Sequence, residues 1–314
     1  MDILYFCKGV KLLAYSGIGG QAVMEGVMMK NKETYAVAVR KPDNEIIVEK
    51  KEYKGICRNN TIRNMFFVRG IINFIESMVL GMSSLTFSAS FFEEEAEKPR
   101  SEKKEKAEMG FTILLSVVLA VAVFMVLPFY VSLFFQRFTK SESLIILIEG
   151  ILRIMIFIGY ILLISQMEDI KRVFMYHGAE HKCINCIEHG MDLTIENVKK
   201  SSREHKRCGT SFLFFVVIIT IIATMFIRVD SRILRLVLRL AIVPLIAGIS
   251  YELIRLAGRS DNPVINFLSK PGLWMQKLTT REPDEAMIEV GIASVEAVFD
   301  WKTYVESIRG KETL

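Results

Sequence analysis

The stretch YHGAEHKCINCIEHG, residues 176–190, holds three of the four histidines in a chain of 314 residues, and the fourth, His205, follows shortly after. On an α-helix turning about 100° per residue, His177 and His181 lie one turn apart, and Glu180 and Glu188 share their face. Together His177, Glu180 and His181 form H-x-x-E-H, the zincin order reversed. In that motif two imidazoles bind zinc and the carboxylate takes a proton from bound water. Gly178 weakens the helix, but near its expected start, where the cost is small. Downstream, SREHKRCGTSF, residues 202–212, sets His205 and Cys208 three residues apart, so that both can approach one ion. His177, His181, His205 and Cys208 then make a tetrahedral set for a divalent metal, with zinc the natural occupant. Four protein ligands close a zinc site, as structural sites do, whereas a catalytic site keeps a position for water. Either one member stays out and Glu180 serves as general base, or the metal is structural and Glu180 supports its ligands from behind. Cys183 and Cys186 fall opposite the histidine face and His189 falls off it, so none of the three joins this set.

The elements that must position these residues are membrane helices. Hydrophobic residues make up 51% of the chain and the mean hydropathy is +0.33, too apolar for an ordinary soluble protein. Four transmembrane spans are expected, at 111–135, 144–164, 212–227 and 236–256; the third is short for about 30 Å of hydrocarbon and extends backward through Gly209 and Thr210. Glu149 and Arg153 fall on one face of the second span and pair towards the bundle interior, while Arg235 and Arg239 snorkel at the start of the fourth. The stretch 69–92 is helical, with Arg69, Asn73, Glu76 and Ser83 on one stripe; it lies in the interface or packs on the bundle, a fifth span or a soluble core helix being the alternatives. Ahead of it, TYAVAVR and EIIVE flank KPDN and predict a β-hairpin. GIGGQAVMEGVMMK, residues 17–30, lacks the helix start and Lys-Ser/Thr pair of a phosphate loop, and reads as tight turns.

The fold class is therefore an α-helical integral membrane protein, about four transmembrane helices with a small α+β cytoplasmic portion. Its parts are a cytoplasmic hairpin segment (1–60), a membrane-associated helix (61–92), a charged linker (93–110), spans one and two (111–164), the His/Cys loop (165–211), spans three and four (212–257) and a tail (258–314). Basic residues crowd the loop 165–211, which places it and both termini in the cytoplasm. The first residues lack a basic leader and cleavage site, so no signal peptide is expected. An odd count of five cysteines fits a reducing compartment. Membrane lipids, and other membrane proteins, are the expected partners; with no aromatic-interleaved basic patch, nucleic acid is not.

GGQAVMEGVMM from Gly19, VFMYHGAEHK from Val173, HKRCGTSF from His205, PLIAGISYEL from Pro244 and LTTREPDEAMIEVGI from Leu278 resemble the YqhQ family of bacterial membrane proteins, a domain-of-unknown-function family regarded as metal-dependent enzymes. The resemblance runs from about Gly17 to Val298. It implies two further contributors: Glu25 as ligand or base, and Arg281, with Gln276 nearby, as a clamp for an anionic group. The alternative is that Glu25 and Arg281 only pair within the cytoplasmic portion. Two functions follow, a membrane metal-dependent hydrolase or a scaffold or assembly factor with a structural metal.

Overall fold

The computed structural model describes residues 15–57, 59, 61, 63, 65–92, 102–227, 229, 231–258 and 262–312. The start of the chain, with Cys7 and the expectation of no leader, and much of the charged linker lie outside the described residues.

Four strands, β1 (Ile18–Val23), β2 (Gly26–Asn31), β3 (Thr34–Arg40) and β4 (Ile46–Glu52), form one antiparallel sheet in that order. The expected β3–β4 hairpin is present, with Val39 opposite Ile47. The tight turns expected over residues 17–30 are instead a second hairpin, with Gln21 opposite Met28 and a two-residue connection at Met24 and Glu25. Period-two burial decides the matter: Val27, Met29 and Ala38 point to one face, Met28, Val37 and Val39 to the other, and both faces are covered. A glycine-rich strand survives here because its neighbours supply the packing.

The helices are α1 (Val68–Ala89), α2 (Glu102–Val121), α3 (Leu127–Phe134), α4 (Glu142–Ile164), α5 (Glu168–Glu188), α6 (Ile195–Lys200), α7 (Gly209–Phe226), α8 (Arg232–Ala241), α9 (Val243–Ala257), α10 (Pro263–Thr279), α11 (Glu285–Val298) and α12 (Trp301–Glu312). A π turn at Ala122–Val126 joins α2 to α3. Capping side chains fix several starts: Ser141 accepts from Leu144 N–H, Thr194 from Asn197 N–H and Asp284 from Met287 N–H.

Five stretches are long and apolar enough to cross a bilayer: Val68–Ala89, Gly110–Arg137, Glu142–Ile164, Gly209–Phe226 and Ile233–Ala257. The last four match the four spans expected. The first is α1, whose two halves have different partners. Near its start Gly70 abuts Gly248 of α9, and Arg69 and Asn73 bond Glu252 and Tyr251. Further along, Leu80 and Phe87 pack on the sheet face made by Met28, Tyr35 and Val37. Its inner stripe is small or polar, with Glu76, Gly81, Ser84 and Ser88 buried, while Ile75, Met78, Val79, Met82 and Leu85 are exposed. Apolar residues outside and polar ones inside suit a lipid surrounding, as does the exposed apolar surface of α2.

On its other face the sheet carries α5 and α11, so that Ile18, Val27 and Met29 share a core with Tyr176, Ile184, Met287 and Ile288. This places α5 between the sheet and the ends of the apolar helices. From Tyr176 to Glu188 all but one of its residues are buried, His177 being the partly exposed one. Gly178 is not near the start of this helix but midway along it, and its role is steric. A Cβ there would stand 2.0 Å from Arg281 O, and Arg281 N–H donates to Phe174 O at 2.8 Å. The chain after α10 is laid directly on the helix backbone.

Gly178→Ala should therefore cost about 1–3 kcal/mol or prevent folding, by overpacking a backbone that cannot yield. Gly159→Ala, where nothing lies within 4 Å, should change thermal midpoint little. Melting of the two variants in detergent is the check.

Candidate metal centre

Helix α5 supplies His177 and His181 on one face, as 3.6-residue spacing dictates. Opposite them stands Cys208, the residue that opens α7, where its Sγ accepts from Thr210 N–H at 3.4 Å. Among the described residues, His177, His181 and Cys208 each offer a donor atom, all within 4.8 Å of one another. His177 Nε2 lies 3.2 Å from Cys208 Sγ, and the two imidazole centroids are 4.4 Å apart.

The other ring nitrogens decide which atoms are free. His177 Nδ1 donates to Thr279 O at 2.8 Å and His181 Nδ1 to Arg203 O at 2.5 Å. A backbone carbonyl only accepts, so each Nδ1 carries a proton, and Nε2 is the nitrogen left to face Cys208, as a donor to the sulfur or, once deprotonated, to a metal. This is the arrangement in which metal-binding imidazoles are held. Burial alone pushes the Cys208 thiol up, but the two imidazoles facing it outweigh that and hold it well below its usual range. Burial likewise lowers His177, yet the neighbouring Cys208 and Glu180 raise it to about 9. The donor set thus includes a sulfur that favours the thiolate, the form that binds metal.

Glu180 is buried within electrostatic reach of all three. Its removal from water raises its pKa, partly offset by His181 and His177 and by a hydrogen bond from Gly20 N–H. A Cβ on Gly20 would sit 2.6 Å from Met28 O and 3.0 Å from Glu180 Cγ, so the bare backbone of β1 is what admits this carboxylate.

The fourth expected ligand, His205, stands beside the cluster with its ring centroid 5.6 Å from that of His181, but turns its Nε2 to a carboxylate. His205 Nε2 faces Glu188 Oε2 at 3.6 Å, and its backbone N–H donates to Gln276 Oε1 at 2.8 Å. Spacing of three brings two residues together only on a helix, and 201–208 is irregular. Glu188 shares the histidine face but lies beyond it, accepting from Arg207 at 2.5 Å, from Ser16 Oγ at 2.7 Å and from Ser16 N–H at 2.9 Å. Burial would raise its carboxyl, but His205 and Arg207 hold it down at about 2. Glu25, in the β1–β2 turn at φ 48°, pairs with Arg172 and accepts from Tyr176 at 3.2 Å. Arg281 donates to Ser165 O at 3.1 Å. Neither reaches the three-donor cluster. Cys183 packs against Gly291, Cys186 Sγ is 3.4 Å from Asp192 O, and His189 Nδ1 donates to Asn185 O at 2.7 Å.

Two amides brace the site: Asn185, which sequence reasoning missed, and Gln276, which it noted only as a neighbour of Arg281. Asn185 Nδ2 donates to Ser202 O and Glu204 O at 2.6 and 2.9 Å, pinning the loop that carries Arg203 O. Gln276, wholly buried, donates to His205 O at 2.6 Å and Ser211 Oγ at 2.8 Å while accepting from His205 N–H. Their signal was weak: single amides whose partners, main-chain atoms and Ser211 Oγ, lie in other segments of the chain.

A family described as "Protein of unknown function (DUF1385)" matches residues 65–301, which include all three donors, Glu180 and Glu188. The Uncharacterized protein YqhQ of Bacillus subtilis (strain 168) is 37% identical over 286 residues, 88% of this chain and 90% of that protein. The chain belongs to this family. No solved structure matches it.

Two outcomes follow from the geometry. His177→Ala, His181→Ala and Cys208→Ser should each lose bound metal, whereas His205→Ala should retain it; elemental analysis of purified protein reads this directly. Glu188 titrates at about 2 against an ordinary 4.5, so its stabilisation is present above about pH 4.5 and is lost as pH falls towards 2. Glu188→Gln should flatten that part of the acid-unfolding curve and cost about 3 kcal/mol at neutral pH, because Arg207 is left without its partner.

Proposed function

We propose that this chain is an integral membrane protein that holds a divalent metal, zinc, on His177, His181 and Cys208 and hydrolyses a substrate at the cytoplasmic face of the bilayer, with Glu180 as general base. The observation that carries the reading is the convergence of three donors, both imidazoles fixed through Nδ1, beside a buried carboxylate of raised pKa. Three protein donors is the number a catalytic zinc site uses, its fourth position being left to water or substrate.

Zinc bound there would supply a Lewis acid and a water whose pKa falls to about 7. The remaining work belongs to side chains. His177 and His181 present Nε2 and hold their own orientation through Thr279 O and Arg203 O. Glu180, shielded from solvent and raised from its ordinary value, is the carboxylate placed to take a proton and return it to a leaving group. The basic residues of 165–211 favour the cytoplasmic side for this centre. Cys208 opens one of the apolar helices, so the centre stands at the mouth of the bundle, and a lipid or a membrane-protein segment is the substrate class that suits it.

One contact favours a second reading. Cys208 lies 3.2 Å from His177 Nε2 at a helix N-terminus, which without metal is the pairing of a thiolate nucleophile with its imidazolium.

Glu180→Gln separates these readings. The variant should keep about one metal per chain and show two nitrogens, one sulfur and a light oxygen by X-ray absorption, with hydrolysis of lipid or peptide substrates down by about 10²–10⁴. A site closed by four protein ligands would make the metal structural and the protein a scaffold. A wild-type protein without metal, but with Cys208 alkylated rapidly at pH 6, would select the thiolate.

A further inference from the structure

At the opposite end of the apolar helices lies a cluster of charges that the metal centre does not use. Glu149 of α4, Arg153 of α4 and Arg239 of α8 are only 3%, 4% and 2% exposed. Arg239 Nη1 donates to Glu149 Oε1 and Oε2 at 2.6 and 2.7 Å, and Arg153 Nη2 donates to Oε1 at 2.9 Å. The expected snorkelling of Arg239 does not occur, because this carboxylate draws it inward. Arg153 Nε donates at 3.1 Å to Phe124 O, a carbonyl within the π turn that interrupts the α2–α3 span. Such turns leave main-chain acceptors off the regular ladder and concentrate at functional sites.

The charges do not balance. Two guanidiniums meet one carboxylate, leaving a single positive charge in the apolar interior. Glu149 lies seven residues into α4, about 10 Å from that helix's start at 1.5 Å per residue. Arg239 is faced by the Phe129 ring at 5.0 Å, and its Nε has no acceptor among the described residues. Arg235, which spends its donors on Val229 O, and the exposed Glu142 add one charge of each sign, so the excess of one positive charge stands among the described residues. An uncompensated charge at this depth is costly, and a bound anion would offset it. Beside the cluster is a cavity of about 20 Å³ whose charged wall is Glu142, Glu149, Arg235 and Arg239, with Phe129 and Ser132 between them. That volume admits one water-sized guest and excludes a phosphate or a lipid headgroup.

We propose that this cavity is a binding site for a monatomic halide, held by the excess charge of Arg153 and Arg239. Its depth in the bilayer rests on the membrane reading given above; the charge count and the cavity do not. Chloride is the probe. In detergent, the full chain should broaden the chlorine NMR line saturably, with bromide competing and phosphate at equal ionic strength failing to compete. Arg239→Gln, which brings the cluster to neutrality, should weaken binding by about tenfold or more, and Glu149→Gln, which doubles its excess charge, should strengthen it by a similar factor. These opposite shifts keep the test decisive if one variant fails to fold. Cys208→Ser, altered on the other side, should leave the broadening intact, which separates this site from the metal centre. Absent broadening in wild type, equal broadening in all variants, loss in Cys208→Ser or competition by phosphate would each overturn the proposal.

Discussion

Two hydrogen bonds from imidazole Nδ1 atoms to main-chain carbonyls, His177 to Thr279 and His181 to Arg203, are the contacts on which the inner half of this protein depends. Their acceptors belong to different segments, the end of α10 and the loop before α7. Neither carbonyl is in place until its segment has packed against α5. The loop is drawn in by Asn185 and by Lys182, whose Nζ donates to Lys199 O at 2.8 Å; the other segment is laid on the helix at Gly178. Donor convergence is therefore a consequence of tertiary closure and not of helix α5 alone. The sheet completes the enclosure from below, where Gly20 gives up its side chain so that Glu180 can be buried next to the donors.

Two of the buried glutamates are held in contrasting ways. Glu149 accepts three guanidinium hydrogen bonds from Arg153 and Arg239. Glu180 faces two imidazoles, which with the Gly20 N–H favour its charged form, and a thiol that opposes it. Burial outweighs the favourable contacts and raises its pKa. A buried carboxylate of raised pKa beside histidines and a cysteine is the pattern that functional sites show.

Much of this was legible in sequence where a single regular helix governs the geometry. The shared face of His177, Glu180 and His181, the opposite placement of Cys183 and Cys186 and the Glu149–Arg153 pair all follow from 3.6-residue periodicity, and the four most apolar spans from hydropathy alone. What failed lay in irregular chain or in partners distant in sequence. His205 was set beside Cys208 by spacing, but no helix spans 201–208, and Glu188 with Gln276 turns the residue elsewhere. The run from Gly17 reads as turns when its glycines are counted; it becomes a hairpin because α5 and α1 cover both faces of the sheet. Arg239 reads as snorkelling until Glu149, ninety residues away, is known to face it.

The use of main-chain acceptors also determines which residues the site constrains. Thr279 and Arg203 contribute carbonyls, so their side chains are free to vary as far as the imidazoles are concerned. The constraint passes instead to residues that place those carbonyls. Gly178 must lack a Cβ for the segment after α10 to approach, and Gln276 must both donate to and accept from the backbone of His205 to hold the loop. An amide is the side chain suited to that pair of bonds, since a carboxylate cannot donate and a lysine cannot accept. Substitution at Gln276 would thus disturb the metal donors without touching them, by releasing the loop that carries Arg203 O and leads into Cys208.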